Sequence, residues 1–205
     1  MSEHNTHIDE HRDDEASKLG MWLFIFTELL LFGGLFLVYS IFRAQYPANF
    51  HESSLELSVT IGVINTVVLL FSSMTIAMSI TAIQKKNKKL TLALIGVTIL
   101  MAFIFLVNKY FEWGHKFEHG LYPGSELMQL LERGHHLYFS LYFFMTGLHA
   151  LHIVIGMVLL VIAYVKVNKG SIKHDKFVFL ENGALYWHLV DLIWIFLFPL
   201  LYLIS

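Results

Sequence analysis

The sequence predicts an all-α integral membrane protein, with five transmembrane helices gathered into a single bundle. Three observations predict it. Hydrophobic residues fill 56% of the 205 positions and mean hydropathy is +0.61. Charged residues make up 15%, against roughly a quarter in a soluble domain. The few charges are also segregated, leaving apolar runs long enough to cross about 30 Å of hydrocarbon, which takes some 20 residues of helix.

The first element is a polar lead-in, "MSEHNTHIDEHRDDEASK". It is acidic and lacks the basic start and small-residue cleavage site of a signal peptide. Residues 1–17 therefore read as a partly disordered cytoplasmic tail, and 18–205 as one membrane domain. His4, His7 and His11 in the tail could bind a metal ion only loosely.

Five runs follow. Leu19–Phe42 holds one charge, Glu28. Leu57–Ile83 holds none. Leu90–Val107 is also charge-free and continues through Asn108 towards Trp113. Leu137–Val165 has only His149 and His152 as titratable groups besides its tyrosines. Gly183–Ile204 carries His188 and Asp191. No ten-residue alternation of apolar and polar positions appears, which argues against a transmembrane barrel. Trp22, Trp113 and Trp187 fall near run ends, where interfacial aromatic anchors are expected.

The connections predict an orientation. The lead-in (Arg12, Lys18), the "KKNKK" turn and the Lys166–Asn182 loop together hold ten basic residues. The opposite face holds four: Arg43, Lys109, Lys116 and Arg133. By the positive-inside rule the N-terminus is cytoplasmic and the C-terminus lies across the membrane. Within the second run, Ser58 and Gly62, then Ser73 and Ala77, offer small residues four apart, a spacing that lets helix backbones approach closely in lipid.

Composition also excludes several chemistries. There is no cysteine, hence no disulfide, thiolate metal site or cysteine nucleophile. A net charge of −2 leaves no nucleic-acid footprint.

The informative residues are the ionisable ones at membrane depth: Glu28, Glu112, His149, His152, His188 and Asp191. Each costs roughly 2.5–3.5 kcal/mol on insertion and so needs a partner or a purpose. His149 and His152 stand three apart, as do His188 and Asp191, and such pairs share a helical face. The two faces are expected to meet, with Glu112 joining from the third helix. Glu28 has only Thr27 as an adjacent polar group.

Three readings are open. Histidines and carboxylates from facing helices could hold a metal or haem, although Glu-x-x-His pairs are absent from the spans. The same groups could form a proton path, although the second run supplies only Asn65 and hydroxyls. Or they could bond across helices and fix their register, which accounts for the spacing without a cofactor and is the reading the residues favour.

Two stretches together carry a resemblance: "TGLHALHIVIG" (Thr146–Gly156) and "ENGALYWHLVDLIWIFLFPLLY" (Glu181–Tyr202). They resemble the Gly/Phe-His-x-x-His-x-x-x-Gly and Tyr-Trp-His-Phe-Val-Asp-x-x-Trp helices of subunit III of the haem–copper oxidases, with Leu189 where the second pattern has Phe. "LFIFTELLLFGGLFLVY" and "NKYFEWGHKFEHGLYP" are similar to two further helices of that family, so the likeness spans Leu19 to Tyr202.

The resemblance implies a bacterial inner-membrane subunit without catalytic residues, haem or copper of its own. It would pack against subunit I, beside subunit II and other oxidase subunits, in a complex that reduces oxygen with electrons from cytochrome c or quinol and pumps protons. Its expected work is to stabilise subunit I and support proton uptake. Glu28 matches a buried acidic residue lying by bound phospholipid. Glu112, His149, His152, His188 and Asp191 match interhelical polar positions rather than metal ligands. The long form of the family has seven helices, and the two absent here flank its lipid cleft. Lipid binding on that pattern would need a neighbouring subunit to supply them. An accessory subunit of a nitric oxide reductase is the alternative of the same lineage; a stand-alone metal- or haem-binding membrane protein is the alternative of another class.

Overall fold

A computed structural model describes residues 2–174 and 177–203, with the side chains of all of these except residues 2–13 and 129. The tail histidines thus lie outside the described side chains. The helices are α1 (Ser2–Gln45), α2 (Pro47–Leu55), α3 (Val59–Gln84), α4 (Lys88–Glu118), α5 (Glu126–Leu130), α6 (Arg133–Asn168) and α7 (Val178–Phe198), the last continuing into a π turn at Pro199–Leu203. Five of them, α1, α3, α4, α6 and α7, are long and apolar enough to cross a membrane. These correspond to the five runs.

Local chemistry sets the boundaries. The Ser58 hydroxyl caps α3 by accepting from the Ile61 N–H, and the Asn87 side chain caps α4 at the Leu90 N–H, each satisfying a donor that the first helical turn leaves free. Pro47 occupies the start of α2, where its missing N–H costs nothing. The "KKNKK" turn is tied to the end of α6 by the Lys88 ammonium, which donates to the Asn168 carbonyl at 2.6 Å. At the same end Lys18 pairs with Glu181 at 2.9 Å and the Asn182 amide donates to the Ser17 hydroxyl.

Three boundaries differ from the sequence expectation. The polar lead-in joins α1 without a break. α4 runs past the end of its apolar stretch to Glu118, which moves Lys109 and Lys116 out of the expected loop and into a buried helix face. α7 begins at Val178, so Trp187 sits more than two turns inside it. There it is fully buried, its indole N–H donating to Ser72 Oγ at 2.9 Å, and it is not an interfacial anchor.

α7 is the core of the bundle and α1 is its outrigger. In the most apolar window of α7, 61% of residues are buried, against 6% for α1. α3 and α4 pack as an antiparallel hairpin, α6 and α3 flank α7, and α1 packs chiefly against α7 and α6. The small residues of α3 serve this packing in part. A Cβ at Gly62 would collide with the Phe198 ring, and Ser72, Thr75 and Ser79 are buried. Ser58 is instead a cap and Ala77 is exposed.

Gly156 on α6 has a similar role. A Cβ there would stand 2.9 Å from Trp187 Cε3 and 3.1 Å from Tyr186 Cε1, so only glycine lets α6 meet α7 at this depth. Gly156→Leu is expected to destabilise the bundle by about 1–3 kcal/mol through overpacking, with Gly156→Ala milder. Thermal unfolding of the two variants in detergent, followed by circular dichroism, measures the difference; equal midpoints for Gly156→Leu and the parent would contradict the close approach.

Candidate functional site

The six ionisable residues expected at membrane depth do not form one network. They divide into three separate clusters and one lone ring.

The densest cluster centres on Glu112. One turn earlier on α4, the Lys109 ammonium donates to both of its carboxylate oxygens at 3.1 Å. Both side chains are only 3% exposed. Tyr142 of α6 donates to Oε1 at 2.5 Å, and Tyr202 donates to the same oxygen. Lys109 also donates to the Tyr202 oxygen at 2.6 Å and lies 5.0–5.3 Å from the ring centres of Tyr142, Trp194 and Tyr202. A buried ammonium thus has a counter-charge, hydroxyl acceptors and aromatic faces around it.

The π turn delivers Tyr202. Pro199 has no N–H to give the preceding turn, and the chain widens at that point. Tyr138 then donates to the Leu201 carbonyl at 2.8 Å.

The second cluster pairs Glu28 of α1 with His152 of α6, carboxylate oxygen to Nε2, at 3.0 Å. The Nδ1 of His152 stands 2.7 Å from the Leu148 carbonyl. A carbonyl can only accept, so Nδ1 carries a proton, and one further proton is shared between Nε2 and the carboxyl group. Phe32 packs edge-on to the imidazole and Tyr186 stacks on it. Glu28 is thus not isolated. Thr27, its sequence neighbour, donates instead to the Phe24 carbonyl.

The third cluster lies between α7 and α3. His188 Nδ1 and the Ser73 hydroxyl are 2.7 Å apart, and Asp191 stands beside Ser73 without meeting hydrogen-bond geometry. This corrects the expectation that the His188/Asp191 face meets the His149/His152 face, because the former turns to α3.

His149 is the lone ring. It is fully buried, stacked on Trp194 at 5.2 Å with Phe105 edge-on at 5.6 Å. Neither of its nitrogens, nor either oxygen of Asp191, has a hydrogen-bond partner among the described residues. His149 and His152 diverge because three residues advance a helix by 300°, leaving about 60° between them. His152 looks to α1, while His149 looks between α4 and α7.

Among the described residues no group of three or more His, Asp and Glu side chains is gathered closely enough to share a metal ion. What the arrangement does chemically is join helices: α1 to α6, α4 to α6 and the π turn, and α3 to α7. Sequence reasoning missed Lys109, Tyr142, Tyr202 and Ser73. Lys109 at three residues before Glu112, in a helix still rich in apolar residues, was the available signal for the first of them.

A sequence model of the family described as cytochrome c oxidase subunit III matches residues 3–205. Among curated proteins, a probable quinol oxidase subunit 3 of Staphylococcus aureus is 28% identical over 98% of this chain and 96% of its own length. A probable cytochrome c oxidase subunit 3 of Rickettsia bellii is 28% identical over 91% of this chain and 68% of its own. A heme-copper oxidase subunit I+III of Aeropyrum pernix is 31% identical over 90% of this chain, which spans 22% of that longer protein.

Proposed function

Because the chain belongs to the cytochrome c oxidase subunit III family, we propose that it is the non-redox third subunit of a bacterial haem–copper terminal oxidase. In this reading it packs on subunit I, stabilises it during oxygen reduction and supports proton uptake. Haem and copper reside in the partner subunits.

One observation carries the reading: Glu28, Glu112, His152 and His188 are engaged as helix-to-helix ties. Glu112 is enclosed by Lys109 and two tyrosines, and both nitrogens of His152 are engaged. His149 is sandwiched by aromatic rings. Such a scaffold suits a companion subunit. α1 supplies the outer face, with Leu19, Trp22, Leu23, Phe26 and Leu30 each about 60% exposed, a surface for lipid acyl chains or an apolar partner.

The fusion printed in the name of the Aeropyrum relative, subunit I+III, favours subunit I as the neighbour. The basic residues gathered at one end of the bundle support an orientation with the N-terminus in the cytoplasm and the C-terminus across the membrane. Phospholipid is a second expected neighbour, along α1 near Glu28. Relatives of both cytochrome c and quinol oxidases match, and the donor site lies on other subunits.

The test is co-purification. Mild-detergent isolation of the chain from its native membrane is expected to bring down a many-span, haem-bearing partner with oxygen-reducing activity. A partner with nitric oxide reductase activity would replace this reading with the alternative of the same lineage. A Soret band in the isolated chain would replace it with a haem-binding one.

A further inference from the structure

The last turn of α4 carries a histidine pair that none of the clusters above uses. His115 and His119 lie four residues apart on one exposed face, with Nε2 to Nε2 at 3.2 Å and rings nearly perpendicular. Two imidazole nitrogens bound tetrahedrally at 2.0–2.1 Å to one ion stand about 3.3 Å apart. The pair therefore already has the separation of two ligands on a single metal.

The surroundings suit a cation. His119 closes α4, whose carbonyl end carries partial negative charge. The turn is fixed by Gly120 at φ +68°, by the Leu121 N–H on the Lys116 carbonyl, and by the Ser125 hydroxyl on the Gly120 carbonyl. A cleft of about 420 Å³ opens beside His119, lined by Glu52, Glu56 and His135 among others. The Glu52 and Glu56 side chains are 70% and 60% exposed and face His135 at 3.5 Å and Lys116 at 3.9 Å, so they add acidity to the cleft without being free ligands.

We propose that His115 and His119 form a two-histidine site for a divalent transition-metal ion of the zinc and copper class, with water or anions completing the coordination. Imidazole suits these ions, and Cu²⁺ binds such donors most tightly of the first-row divalent series. The competing account is a plain imidazole–imidazole hydrogen bond, in which one Nε2–H donates to the other ring. The proposal concerns the surface of this chain and does not depend on the oxidase reading.

The experiment uses the full chain in detergent, isolated without a histidine tag, in a background with His4, His7 and His11 replaced by Ala. Cu²⁺ is titrated calorimetrically and the bound ion examined by electron paramagnetic resonance. One Cu²⁺ per chain with coupling to two nitrogens is expected. His115→Ala and His119→Ala should each weaken binding by about tenfold or more, the scale on which even outer-shell losses act. The combination His119→Ala with Phe117→His keeps the histidine count but puts the two rings two residues apart, where they do not face each other, and it should be equally weakened. Unchanged affinity in the single variants, or parent-like binding by the shifted one, would overturn the site and leave only the hydrogen bond.

Discussion

Glu112→Ala is expected to destabilise the bundle by about 3–5 kcal/mol, the cost of leaving one member of a buried ion pair unpaired. Lys109 is 2% exposed. Without Glu112 its ammonium would keep the Tyr142 and Tyr202 oxygens and three aromatic faces, none of which carries a formal charge. Both tyrosine hydroxyls would also lose their acceptor. Glu112→Gln, which retains an acceptor oxygen but not the charge, should fall between Glu112→Ala and the parent. Lys109→Met combined with Glu112→Met should recover part of the loss, because an apolar pair of similar volume often replaces a buried ion pair at little cost, while the Tyr142 and Tyr202 hydroxyls still lack the carboxylate. Denaturation in mixed detergent, followed by circular dichroism, ranks the variants. A Glu112→Ala protein as stable as the parent would show that the pair holds nothing together.

The same cluster marks where the sequence stops being legible. Five spans follow from apolar run length alone, since lipid obliges the backbone to satisfy its own hydrogen bonds within a helix. Run length cannot say where a helix ends once it becomes polar. α4 continues through Lys109, Glu112 and Lys116 because these side chains are received by other elements. The Lys116 ammonium donates to the Glu56 carbonyl, just past the end of α2, and Lys109 meets the π turn. Two basic residues counted for topology are thus internal ties. Spacing has a similar limit, because the i, i+3 rule puts His149 and His152 on neighbouring faces but is silent about which helices those faces meet. Partners separated by 124 and 115 positions, as Glu28–His152 and Ser73–His188 are, leave no periodic trace in one sequence. Ser73 was visible only as a small residue, and its hydroxyl acquired a role only once α7 was placed against α3.

The Glu28–His152 tie is expected to discriminate sharply between substitutions at its two ends. Glu28→Gln should assemble almost normally, since the amide N–H can donate to His152 Nε2 and Nδ1 remains committed to the Leu148 carbonyl. The sequence alone suggests the same tolerance from apolar surroundings; the geometry traces it to a replaceable hydrogen bond. Glu28→Leu should cost about 1–3 kcal/mol by leaving the Nε2 of an almost buried imidazole unpaired. His152→Leu should be worse, at roughly 2.5–3.5 kcal/mol, because a carboxyl group would then stand in the apolar layer without a partner. Thr27 cannot replace His152 while its hydroxyl is held by the Phe24 carbonyl. α1 has few other polar ties to the bundle within the apolar layer, so loosening should show first as proteolysis or hydrogen exchange along α1 while α3 and α4 stay protected. Infrared difference spectra of parent and Glu28→Gln locate the shared proton: a protonated-carboxyl band lost in the variant places it on Glu28, and its absence places it on the imidazole. Unaltered exchange of α1 in His152→Leu would mean that this helix is held by apolar contact alone.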